Sequence, residues 1–452
     1  MSSATGFRLL NPLAKNLLLV PLRSARACST NDAVKLRNNI HLAYCTNIHR
    51  GETWEQTFET LQKYTLAVRD RVCPNAPYAI GLRLGDQASR QLSDRATLTD
   101  FQQWLDKNNC YIFTINGFPF GSFHGTRVKE QVYAPDWTSN ERVAYTNRLF
   151  DLLAELVPSG VEGSVSTVPC SFKEFITTPE QVATMRANLW RCVEHISRVS
   201  EKSGRTLHLG LEPEPLCYLE TTAETVAFFQ QLRADRPNDD RLARHLGVNY
   251  DTCHLAIEFE DAAASIRQLQ ANDIKISKLH FSSALKVKPT KEARRALLSF
   301  VEPVYFHQVV AKWPDRGAPV NWNKDGLPAL ASSSGPRGAA DDLRITRTKD
   351  LDLALTQSAN LDNLTDDQLP EWRIHFHIPL HSRPTELFDT TSQQIIGVID
   401  LLAENPNLCH HIEMETYTWE VLPGPLKNRN VVDQLADEYA WTLDKLRARN
   451  LA

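Results

Sequence analysis

Acids and imidazoles occupy several strand-like stretches of this chain, at positions where a buried strand ordinarily carries branched apolar side chains. At 206–212, Leu207, Leu209 and Leu211 alternate with His208, Gly210 and Glu212, and two prolines then stop the run beside Glu212 and Glu214. At 246–251, Val248 and Tyr250 face one way and Asn249 and Asp251 the other, with Thr252-Cys253-His254 leading away. Leu279 and Phe281 flank His280. Ile374, Phe376 and Ile378 accompany His375 and His377, with His381 just beyond, and Ile412 and Met414 alternate with His411, Glu413 and Glu415.

Burying a charge without a partner costs several kcal/mol. Carboxylates that converge with imidazoles are satisfied by a divalent cation, which neutralises the acids and uses the neutral nitrogens as ligands. Mixed Glu, Asp and His ligation suits Mn, Zn, Fe, Co or Mg. Each stretch also has a plain structural reading: Glu212 and Glu214 as helix caps or arginine partners, His280 as a hydrogen-bonded core residue, Asp251 with His254 as a turn. Their joint occurrence on one polar side favours a shared site.

A second cluster runs from 116 to 137. Asn116-Gly117-Phe118-Pro119-Phe120-Gly121 turns sharply after a strand, and His124, Arg127, Lys129, Tyr133 and Asp136-Trp137 follow along a loop. Such a loop at the same mouth makes a substrate wall, with Arg127 and Lys129 suited to a phosphate or carboxylate. The competing reading is a rim loop packing its own aromatics. Asn116, His124 and Lys129 are the substrate-binding residues expected here, joined by His375 and His377 from the late strand.

The elements that must position these residues alternate strand and helix, the pattern of parallel α/β architecture. Strands are expected at 40–45, 78–84, 110–116, 161–167, 206–212, 246–251 and 277–282, then at 373–378 and 411–416. Helices are expected at 54–72, 97–107, 140–156, 179–200, 223–233 and 262–271, with a closing helix over 431–448. The expected fold is an eightfold (β/α)8 barrel, whose chemistry sits at the C-terminal strand ends. Nine strands exceed eight staves by one, so either 277–282 or 373–378 is an added strand. The surplus lies beside an excursion over 288–370, read as a mobile surface insertion with a low-complexity linker at 331–342.

At 452 residues with net charge -4, the chain has no basic excess for a nucleic acid backbone, and no dense basic patch. Nine cysteines lie scattered without CxxC pairs, as reduced thiols in a core do. No apolar run reaches the roughly 18 residues of a membrane span. Residues 1–31 carry Arg8, Lys15, Arg23 and Arg26 and no acid, the composition of a mitochondrial or plastid targeting leader; a disordered basic tail is the alternative.

The runs HLAYCTNIHRGETW (41–54), IGLRLGDQASRQL (80–92), NGFPFGSFHGTRVKEQVYAPDW (116–137), LEPEP (211–215), NYDTCH (249–254), SSALKV (282–287), HFHIPL (375–380) and EMETYTWEVLP (413–423) resemble the metabolite-traffic protein EboE family. That family is similar to xylose-isomerase-like TIM barrels, and the resemblance spans roughly residues 38–447. It implies a divalent metal held by Glu212, Asp251, His280 and Glu415, with His254 of the Asp-x-x-His motif contacting substrate. His377 competes with His280, Glu214 with Glu212, and Glu413 with Glu415.

The implied reaction is metal-dependent isomerisation or epimerisation of a sugar-like or hydroxy-carbonyl metabolite, with Glu212, Glu415 and His254 as the catalytic residues. A small-molecule metabolite and further copies of the chain are the partners expected. A non-catalytic metabolite-binding barrel is the first rival. An endonuclease IV-like phosphodiesterase is the second, and it lacks the basic rim that DNA requires.

Overall fold

The computed structural model describes residues 36–122, 124–125, 127–314, 345–424, 427 and 429–452. The expected leader and the low-complexity linker lie outside them. Seven strands come first: β1 His41–Tyr44, β2 Tyr78–Arg83, β3 Cys110–Asn116, β4 Gly163–Thr167, β5 Leu207–Leu211, β6 Leu246–Asp251 and β7 Lys275–Phe281. Five more follow: β8 Ala284–Val287, β9 Val309–Lys312, β10 Ile345–Thr348, β11 Glu371–His377 and β12 Asp389–Thr390. β13, His411–Met414, then returns to the first set.

β1 to β7 and β13 form one eight-stranded sheet in the order β1-β13-β7-β6-β5-β4-β3-β2. Every pairing in it is parallel. A parallel bridge between Cys45 and Gly81 joins β1 to β2 and nearly closes the barrel. The expected (β/α)8 architecture is therefore present, with helices between the strands. Local signals set the helix ends: Thr178 and Gln181 form a capping box ahead of Pro179–Ser203, which stops at left-handed Gly204 (φ 67°). The expected helix at 54–72 is present but carries a π-turn at Leu61–Thr65.

The surplus strand is now placed. β7 pairs in parallel with both β6 and β13 and is a barrel stave, whereas β11 runs antiparallel between β8 and β9. β11 belongs to a second, five-stranded sheet of order β10-β9-β11-β8-β12. Leu285, Val287, Val309, Leu351, Trp372, Ile374 and Phe376 form that sheet's own core. Where a mobile surface insertion is expected, the described residues thus form a packed unit over the barrel mouth.

Helix Gln393–Glu404, absent from the sequence reading, precedes β13 and buries Ile395, Val398, Ile399 and Leu402. All eight described cysteines are free and buried. Among the described residues no helix is long and apolar enough to cross a membrane.

Candidate metal centre and cleft

His280 is the hub of the barrel mouth. Its Nδ1 lies 3.1 Å from Glu212 Oε1, 3.2 Å from Glu415 Oε2 and 3.6 Å from Asp251 Oδ2. Glu212 follows β5, Asp251 ends β6, His280 stands on β7 and Glu415 follows β13. All four are buried, with one ligand atom each inside a mutual distance of 4.8 Å. Strand register aligns Asp251, His280 and Glu413 in one row, so Glu415, one inward position further along, reaches the mouth.

Glu413 takes the other side of the same ring. Its Oε2 lies 3.0 Å from His280 Nε2 and 2.5 Å from Lys278 Nζ. Burial would raise this carboxyl, but Lys278 and His280 outweigh it and hold it down to about 2. Burial likewise disfavours a charged His280, and Glu415 and Glu212 reverse that, holding its pKa well above the ordinary imidazole value. The cluster therefore draws positive charge to itself, as a proton on His280 or as a cation.

Asp251 Oδ1 is fully engaged. It accepts from Ser282 Oγ at 2.5 Å, from the Cys253 amide at 2.7 Å and from the His254 amide at 3.1 Å, capping helix Thr252–Ile257. Asp251 Oδ2 and Glu212 Oε2 are buried without a hydrogen-bond partner. Buried orphan carboxylate oxygens are costly and rare, and two of them converging with an imidazole make a donor set that fits a divalent cation. Glu415 is steadied through Oε1, which accepts from Asn47 Nδ2 at 2.7 Å and Asn116 Nδ2 at 3.3 Å.

The competing residues stand beside the cluster, in candidate groups of their own. Glu214 accepts from Tyr133 Oη at 2.9 Å, beside His375 rather than His280, and burial pushes its carboxyl up to about 8. His377 joins His254 and His375 in a separate imidazole group, where His375 Nε2 lies 3.1 Å from His254 Nε2 and 3.2 Å from His377 Nε2.

The cleft above the carboxylates is lined by Asn116, Glu212, Glu214, His254, His375 and Glu415. Phe118, from the loop after β3, and Tyr305, Phe306 and Tyr417 also line it. Lys129 reaches the cleft, but it is paired with buried Asp350. His124 is not among the lining residues; it is half-buried near Asn47, Arg50 and Arg83.

Three contributors were missed. Lys278 had a legible signal, a cation two residues before His280 on the same strand face. Asn47 follows β1 as the acids follow their strands. Gln308, which receives His375 Nδ1 at 2.6 Å, lies in the excursion and had none.

No protein-family model matches the chain, and no curated protein does. Solved structures do. One is a xylose isomerase-like TIM barrel protein from Mycobacterium smegmatis in complex with magnesium, at 13% identity over 91% of this chain and 97% of that one, with a TM-score of 0.45. Another is the probable 3-DHS dehydratase AsbF of Bacillus anthracis, at 12% identity over 89% and 99%, with a TM-score of 0.43. A third is the IOLI protein with a binding zinc atom, at 15% identity over 54% and 73%, with a TM-score of 0.34.

Proposed function

We propose that this protein is a metal-dependent isomerase or epimerase acting on a sugar-like polyol or related hydroxy-carbonyl metabolite. One observation carries the reading: Glu212 and Glu415 both line the cleft and both stand within 3.2 Å of His280 Nδ1. Two carboxylates thereby face one substrate position, the requirement for taking a proton and returning one. A divalent cation held by Glu212, Asp251, His280 and Glu415 would polarise a substrate carbonyl.

The remaining chemistry belongs to the chain. Glu212 takes the proton from the carbon beside the carbonyl. Glu415, oriented by Asn47 and Asn116, returns a proton to the enediolate. Return to the same carbon from the other face inverts it, and return to the neighbouring carbon, with the hydroxyl proton passing from one substrate oxygen to the other, moves the carbonyl. His254 holds the substrate oxygen on which charge develops. The EboE-like motifs support a small metabolite as the ligand.

The test is deuterium incorporation, followed by NMR, when manganese-loaded protein meets a panel of ketoses in deuterated water. Label should enter a carbon beside the carbonyl, and Glu212→Gln and Glu415→Gln should slow this by roughly 10²-fold or more. Ligand binding with no labelling of any sugar would instead make the barrel a metabolite carrier.

A further inference from the structure

We propose that the second sheet is a lid, hinged beside β8 and latched at its far edge by ion pairs, which swings off the barrel mouth to admit substrate. The inference rests on the reading of the mouth as the site, and it begins from size. The cleft holds about 60 Å3, whereas pockets that take small molecules run from about 300 to 1,000 Å3. Tyr305, Phe306 and His375 of the second unit line it, so that unit is closed down on the carboxylates.

A two-part construction lets one part move. The barrel and the second sheet have separate cores, the second built on Leu285, Val309, Trp372 and Ile374. The chain passes between them beside β8. Ser282 and Ser283 join β7 to β8, the Ile378 amide donates to the Ser283 carbonyl at 2.9 Å, and the Thr391 amide donates to the Ala284 carbonyl at 3.1 Å. The sheet order β10-β9-β11-β8-β12 puts β10 at the opposite edge. At about 4.8 Å per strand that edge lies roughly 14 Å from the hinge, so a swing of about 20° moves it by about 5 Å.

The far edge is where charge crosses the seam. Arg347 on β10 reaches Glu258 Oε2 at 2.6 Å and Glu220 Oε1 at 3.3 Å. Just beyond it, Lys349 meets Glu174 at 2.7 Å and Asp350 pairs with Lys129. On β11, the Arg373 guanidinium lies 4.0 Å over the Phe259 ring, and its Nη1 donates to the Ala256 carbonyl at 2.5 Å. Glu258 directly follows the helix Thr252–Ile257 that Asp251 caps and on which His254 stands, so the latch grips the scaffold of the site itself.

Contacts of this kind release at little net cost. A buried ion pair roughly breaks even against hydration, because desolvation offsets the attraction. Glu258 is buried and its Oε1 has no hydrogen-bond partner, so opening hydrates an oxygen that the closed form leaves unsatisfied.

Cys253 is a built-in reporter. It is buried at the seam against Ala284 of β8 and Val310 of β9, whereas Cys192 is buried in the barrel core. Alkylation of the native full-length protein by N-ethylmaleimide, resolved by peptide mass spectrometry, reads both thiols without substrate. Wild-type Cys253 should be labelled roughly tenfold or more faster than Cys192, since local opening outpaces unfolding of the barrel. Arg347→Gln should speed Cys253 by a further factor of about ten and leave Cys192 unchanged. Equal rates for the two thiols in wild type overturn the lid without needing any variant to fold, and an unchanged Cys253 rate in Arg347→Gln overturns the latch. Because no turnover is read, a protein that labels at Cys253 but exchanges no substrate proton would lose the isomerase reading and keep the lid.

Discussion

Glu413 stands 3.0 Å behind His280, on the ring nitrogen that faces away from Glu212 and Glu415. A carboxylate in that place receives Nε2–H and turns the Nδ1 lone pair of the neutral ring toward the cluster. Lys278 holds the carboxylate charged, so a buried chain of Lys278, Glu413 and His280 aims one ring nitrogen at the cluster.

Removing the far end of that chain tests its purpose. Lys278→Met should lower metal affinity by roughly 10–100-fold and cost about 3–5 kcal/mol of stability, because Glu413 is left buried without its lysine counter-charge. Metal titration and denaturant melts read the two effects separately. Unchanged metal affinity in a folded variant would show that the aim of His280 does not depend on Lys278.

Gly81 sits where no side chain fits. A Cβ there would lie 2.1 Å from Glu413 Oε1 and 2.7 Å from the Tyr44 carbonyl, at the strand that closes the barrel against Cys45. Gly81→Ala should therefore displace Glu413 and cost on the order of 1–3 kcal/mol or more. A variant with wild-type melting temperature and metal content would contradict this.

Glu438, on the closing helix, is fully buried, accepts from Thr416 Oγ1 at 2.9 Å and has its carboxyl raised from 4.5 to about 7 by burial. The folded state thus binds the proton more tightly than the unfolded chain does. Its contribution is greatest below about pH 4.5 and is lost as pH rises through about 7, by roughly 3 kcal/mol. Paired denaturant melts between those values should show wild type losing stability relative to Glu438→Gln as pH rises, since the buried histidines titrate alike in both proteins. An equal slope in both proteins would remove Glu438 as its source.

Much of this was legible because the barrel speaks locally. Short apolar runs alternating with helical ones marked its strands, and polar residues at consecutive strand ends marked the mouth. The choice between neighbours was not legible. Pro213 ends the strand between Glu212 and Glu214, and beyond it the chain bends so that the Glu214 amide bonds the Leu219 carbonyl, which turns the second acid away. Glu413 and Glu415 share one face, and only the register against His280 separates them. The second sheet was invisible for another reason. β8, β9 and β10 are four residues each, too short to display a period, and their pairing partners are far apart in the chain. His375 and His377 were placed on one strand face, but the sequence held nothing to say that this strand runs antiparallel outside the barrel.

Whether Glu212, Asp251, His280 and Glu415 hold one cation is read by anomalous diffraction from manganese-soaked crystals. A shared site places the peak about 2.0–2.3 Å from an oxygen of each carboxylate and from His280 Nδ1. A manganese peak bound elsewhere, with His280 Nδ1 still hydrogen-bonded to Glu212, would contradict it.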